Sequence, residues 1–200
     1  AWMEAFRLDD ALAYAQEARA IAGRCRNTYH EARSEWLLRT LEYRRETLTQ
    51  PDFELVEAIT LVGVPDLEAL VCITEASLLF RLGDRSETAR LAERARRIWT
   101  GMNKGWGAKL ARCLAMASGA SLLIDEARTL AEEAFRCPIS GIGIQMLGLL
   151  AMGFPEERRA FAQGAEALAA QVPRSQWKGR IDILSVQESL EALIGPEAGL

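Results

Sequence analysis

The chain has 200 residues, half of them apolar, a formal net charge of −4 and a single histidine. That length and apolar share can fill a sizeable core, which argues against disorder of the whole chain. No apolar run reaches the roughly 18 uninterrupted residues of a bilayer span, and a mildly acidic chain has no general attraction for phosphate backbones. A soluble, cytoplasmic protein that binds neither membrane nor nucleic acid directly is expected.

Helix-forming residues dominate, and period-two alternation is nowhere sustained, so an all-α fold is expected. Glycine and proline punctuate the chain at intervals of a helix plus a turn and delimit ten helices: 9–22, 27–48, 52–62, 66–82, 86–99, 104–118, 122–136, 140–152, 156–171 and 175–194. In the first, Asp9 and Asp10 read as a helix start, because adjacent residues diverge on a helix and make a poor metal pair. His30, on the second, reads as an ordinary helix residue beside Tyr29, Glu31 and Arg33 rather than a general base. Pro65, with Asp66 and Glu68 in the first turn, suits the start of the fourth. Asp84 is placed to cap the fifth, with Glu87 as the reciprocal partner of a capping box.

Further along, Arg90, Arg94, Arg96 and Arg97 alternate with Glu87 and Glu93, the pattern of a solvated, salt-bridged face rather than a nucleic-acid patch. Gly101 to Gly107 lacks the glycine spacing of a nucleotide site and reads as a flexible turn bearing Trp106. In Ser140-Gly141-Ile142-Gly143-Ile144 no Lys-Ser or Lys-Thr pair follows the glycines, so a closely packed helix start is the better reading than a phosphate loop. Pro155, Glu156 and Glu157 suit the start of the ninth helix. Short connections throughout imply antiparallel neighbours.

Cys25, Cys72, Cys113 and Cys137 are spaced for neither zinc nor a redox Cys-x-x-Cys pair, and read as reduced, mostly buried thiols. Lys104, Lys109 and Lys178 are the only lysines among 24 basic residues, a bias expected of a G+C-rich, bacterial genome. No catalytic set, cofactor site or metal-ligand set is identified.

Small residues recur at fixed offsets. Ala76, Thr88 and Ala95, then Ala115, Ala127 and Ala134, then Gly148, Ala160 and Ala167 are each separated by twelve and seven residues. A small side chain on one helix facing two on the next lets their backbones approach closely.

These residues resemble the tetratricopeptide repeat. Leu67 to Ile98 reads as one unit, with Leu79 at its large position and Gly83 at its turn. Leu114 and Leu147 precede the small residues of the later units, Pro138 and Pro173 lie near their ends, and Ala11, Ala15, Ala18 and Ile21 resemble the second half of an earlier unit. Cys72, Ala111 and Ile144 stand where the repeat carries tryptophan, and Glu75 stands at a normally apolar position. The other reading is a non-repetitive helical bundle rich in alanine.

The resemblance implies a stack of antiparallel helix pairs, an α-solenoid: an N-terminal helical segment over 1–62 that starts mid-repeat, repeats over 65–172, and a capping helix and tail over 173–200. It also implies a partner-binding groove on the first helix of each pair, formed by Leu70, Ile73, Ser77, Phe80 and Arg81, by Lys109, Arg112 and Met116, and by Ile142, Gln145, Leu149 and Met152. Arg81, Lys109 and Arg112 are expected to pair with an acidic or amphipathic protein segment. The alternative for Leu149 and Met152 is burial beneath the capping helix. The function implied is a non-catalytic interaction or scaffold module of a larger bacterial signalling or transcription regulator. A ligand sensor is the second reading, with a small molecule enclosed between helix pairs by Trp106, Met116 and Met146.

Overall fold

The computed structural model describes residues 8–45, 47–120 and 123–171. Among them every regular element is a helix: α1 (Leu8–Arg24), α2 (Thr28–Arg44), α3 (Phe53–Val62), α4 (Pro65–Leu82), α5 (Arg85–Gly101), α6 (Gly105–Ala117), α7 (Ile124–Phe135), α8 (Ser140–Gly153) and α9 (Arg158–Ala170). These coincide with the first nine expected helices. The expected tenth, 175–194, and the capping role assigned to 173–200 lie outside the described residues. No helix among the described residues is long and apolar enough to cross a membrane.

Helix ends follow local chemistry. The Asp52 carboxylate accepts from the Leu55 amide at 2.8 Å and starts α3. Pro65 opens α4, where its missing N–H costs no helical bond, and Gly83 leaves that helix at φ 88°, a left-handed conformation that a side chain would disfavour. Asp84 caps α5 by accepting from the Glu87 amide at 3.1 Å. The Glu87 carboxylate turns forward to Arg90 at 2.8 Å rather than back to Asp84, so one half of the expected box forms.

Two expectations are corrected here. Trp106 belongs to the first turn of α6 rather than to a flexible turn. Pro155 lies in the turn before α9, where Phe154 is buried edge-to-face on Phe161, with ring centroids 6.3 Å apart.

Two large apolar clusters share α6. Ala108, Ala111, Leu114 and Ala115 join residues of α3, α4 and α5, whereas Cys113 and Met116 join residues of α7, α8 and α9. Leu149 of α8 packs against both. Each fully buried leucine in these clusters, such as Leu91 or Leu150, contributes about 1.5–3 kcal/mol by leaving water. A smaller cluster joins Ala11 and Ala15 of α1 to Leu38 and Leu41 of α2, while Ala18 and Ile21, expected on that face, are exposed.

The first two small-residue sets are buried as expected: Ala76, Thr88, Ala95, Ala115, Ala127 and Ala134 all have no exposed surface. The third is corrected, because Gly148 is buried but Ala160 and Ala167 are exposed. Counted from the helix start, Phe161 stands where α5 has Thr88 and α7 has Ala127, and Leu168 stands where they have Ala95 and Ala134. The room comes from α8. A Cβ on Gly143 would lie 2.8 Å from Leu168 Cδ2 and 2.4 Å from the Ala134 carbonyl oxygen, so the glycine is what admits both. Close approach is kept, with the small partner moved to the other helix.

Helix α2 docks on α4 through polar groups. Arg39 Nε and Nη2 donate to the Glu75 carboxylate at 2.7 and 3.0 Å, and the Asp52 amide donates to the same carboxylate at 2.9 Å. Arg39 Nη2 also reaches the Gln50 carbonyl at 2.6 Å, and Trp36 Nε1 donates to Thr74 Oγ1 at 3.3 Å. Glu75, the anomaly in the repeat pattern, is thus a fully buried anion with three donors.

Candidate interaction surface

The expected groove residues divide into three groups. On α4, Leu70, Ile73, Ser77 and Phe80 lie three or four residues apart on one face and are half-buried, with the three apolar ones packed on the α3–α6 cluster. Ser77 turns its hydroxyl back to the Ile73 carbonyl at 2.8 Å, so it offers little polarity outward. On α8, Ile142, Gln145, Leu149 and Met152 form a similar half-buried row.

The α6 group does not match this arrangement. Met116 has no exposed surface and belongs to the core, so it lines no groove. Lys109 Nζ donates to Glu133 at 2.8 Å, and Arg112 forms a two-pronged pair with Glu126 at 2.7 and 2.6 Å, so both cations are held by α7. Glu93 and Arg96 of α5 also act on Arg112. Hydrogen bonding from Arg112 holds the Glu126 carboxyl below its ordinary value and raises Arg112 in turn, as expected of a carboxylate and guanidinium that stabilise each other's charge. The half-buried apolar residues of α6 are Trp106, Leu110 and Ala117.

Arg81 is the one expected cation that remains exposed and without a carboxylate partner among the described residues. Its guanidinium lies 4.6 Å from the centroid of the Tyr43 ring of α2. Tyr29, Trp36 and Tyr43, spaced seven apart and half-buried, place aromatic surface on the helix that docks beside α4. Sequence reasoning missed this row, although its heptad spacing was a usable signal. The residues expected to enclose a ligand are mostly core: Met116 and Met146 are fully buried, and the Trp106 ring sits under Lys109 Nζ at 4.5 Å.

An open cleft of about 530 Å³ lies instead among α3, α4 and α5, with Phe53, Val56, Leu79 and Leu82 as its apolar lining and Arg90 and Arg94 at its side. Arg94 is tied across it to Glu68 at 2.7 Å and to Thr60 at 2.8 Å. The expected arginine-rich face is therefore partly an interhelical clamp. Burial pushes the Cys72 thiol up to about 11 and raises Cys113 further, so both stay protonated and poorly nucleophilic; Cys25 is exposed.

No protein-family model, curated protein or solved structure matches this chain.

Proposed function

We propose that the chain is a non-catalytic protein-interaction module, a tetratricopeptide-like stack of antiparallel helix pairs. Contact pairs support the stacking. Between α4 and α5, the partners are Asp66 with Trp99, Glu68 with Arg94, and Phe80 with Arg85, so numbers fall on one helix as they rise on the other. The same opposition holds for Lys109 with Glu133 and Arg112 with Glu126, and for Gly143 with Leu168 and Leu147 with Gly164. Between α2 and α4, by contrast, Trp36 meets Thr74, Arg39 meets Glu75 and Tyr43 meets Arg81, so numbers rise together. That relation is the one between first helices of successive repeats, and it extends the proposed stack into the 1–62 segment.

The observation that carries the functional reading is the α4 row. Leu70, Ile73 and Phe80 remain partly open although α2, α3, α5 and α6 all pack on the same helix. Apolar side chains left open at the centre of a packed array suit a partner segment better than water. The reading places the chain in the cytoplasm, within a larger bacterial signalling or transcription regulator in which another domain does the chemistry. Its test is capture of a binding protein by the purified chain, compared with Ile73→Asp. Loss of a single captured protein in the variant, with unchanged helicity, is expected; equal capture rejects the reading.

A ligand sensor is favoured only by the α3–α4–α5 cleft, whose volume lies within the roughly 300–1,000 Å³ of small-molecule sites. A ligand that raises the melting temperature of the chain but not of Leu79→Trp would support it.

A further inference from the structure

Several cations of the described helices are neutralised by carboxylates of the same chain. Arg39 is paired with Glu75, Arg94 with Glu68, Arg96 with Glu93, Lys104 with Asp66, Lys109 with Glu133 and Arg112 with Glu126, all at 2.6–2.8 Å. Two arginines around the α4–α5 turn are different. Arg81, in the last turn of α4, and Arg85, the first residue of α5, are exposed and make no ion pair among the described residues. Each lies over an aromatic ring: Arg81 over Tyr43 at 4.6 Å, and Arg85 over Phe80 at 3.9 Å.

A guanidinium stacked on a ring has its flat face covered and one orientation favoured, while its N–H edge stays available to a planar anion. Less side-chain freedom is then lost when a carboxylate binds. Arg81 Nη1 and Nη2 also donate to the carbonyls of Tyr43 and Leu48, both at 3.4 Å, which orients the side chain without neutralising it. The intervening Asp84 is occupied in capping α5. These two charges stand at one end of the Ile73–Ser77–Phe80 row, where an apolar segment would leave the surface.

We propose that Arg81 and Arg85 form an anion-recognition end to the α4 surface, and that the segment bound there carries Asp or Glu side chains beside its apolar residues. The inference rests on the interaction-module reading and gives it a partner chemistry. A peptide is favoured over nucleic acid because apolar surface adjoins the arginines, Arg90, Arg94 and Arg96 of α5 are paired with carboxylates, and the chain is net negative at −4.

Fluorescence anisotropy with three labelled synthetic peptides of equal length, built from Leu with Glu, Leu with Lys or Leu with Gln, tests this. The Leu–Glu peptide should bind most tightly, more weakly as salt rises, and at least about tenfold more weakly to the Arg81→Glu/Arg85→Glu chain. Arg81→Lys/Arg85→Lys should be intermediate, because charge is kept and the planar fork is lost. Both residues are exposed and make only ring and long carbonyl contacts, so helicity should match the wild type and the melting temperature should fall by only a few degrees. Equal binding of the Leu–Lys or Leu–Gln peptide, or tighter binding of a single-stranded oligonucleotide, overturns the inference. Unchanged Leu–Glu binding by the double reversal, with loss in Ile73→Asp, rejects the arginine site alone; unchanged binding in both rejects the surface as well.

Discussion

Helices α2 and α4, and helices α6 and α8, are neighbours of the same kind in the chain, yet they are joined by opposite chemistry. The first contact is a buried ion pair, Arg39 with Glu75, extended by the Asp52 amide and the Trp36–Thr74 hydrogen bond. The second is a close approach of backbone, in which a Cβ on Gly153 would lie 2.8 Å from Ala117 Cα, backed by the apolar cluster around Leu147 and Leu150. A junction between alternate helices can therefore be made by satisfying a buried charge or by removing a side chain. The polar solution depends on every partner being present, whereas the apolar one depends on volume alone.

The largest break in this comparison should come from the ion pair. Arg39→Ala leaves Glu75 buried without its counter-ion and should cost about 3–5 kcal/mol in urea unfolding. Replacing both partners, as Arg39→Met/Glu75→Leu, should recover most of that loss, since two apolar groups need no partner. A double variant as unstable as the single one would show that the backbone contacts to Gln50 and Asp52, rather than the charge pair, hold the junction.

A smaller effect is expected at the other junction. Gly153→Val forces side-chain volume against Ala117 backbone and should destabilise by about 1–3 kcal/mol, with no dependence on salt. A stability change below a few tenths of a kcal/mol would mean that α8 can slide away from α6 without loss.

The smallest and most diagnostic difference concerns acid. Although burial works against it, hydrogen bonds from Lys104 and Trp99 hold the Asp66 carboxyl below its ordinary value of 3.8, and Arg33 of α2 adds to the effect. Hydrogen bonding from Arg112 holds Glu126 below 4.5. A carboxylate depressed in the folded state contributes stability that is complete above its unfolded pKa and is lost as pH falls through the lower folded value. Amide protection, corrected for the intrinsic pH dependence of exchange, should therefore fall at the Asp66 end of α4 and in α7 as pH drops below about 4, before it does in α8. Simultaneous loss across all three helices would merge the two junctions into one cooperative unit.

Much of the helical framework was legible because its signals are local. Asp84, Pro65 and Gly83 act through their own backbone, and each stands where the sequence pattern puts it. The small residues of α4–α5 and α6–α7 were legible for the same reason, being tied to helix periodicity. The third set failed because Leu168 could replace a small residue where Gly143 made room on the facing helix, and that exchange is invisible along a single helix. The expected α6 set does not hold together, because Met116 is core and Lys109 and Arg112 are held by α7. Whether Lys109 and Arg112 face a partner or α7 depends on Glu133 and Glu126, which lie 24 and 14 residues away.

The amino-acid order by itself determined where helices start and stop and which turn of each is apolar, since caps, prolines and a 3.6-residue period act within a few residues. Tertiary structure decided which charges are neutralised and which stay outward. Arg81 and Arg112 are equally basic in sequence, and only the packing of α2 and α7 gives one an aromatic ring and the other a carboxylate. Ion pairing acts over a few ångströms in space, without regard to separation along the chain.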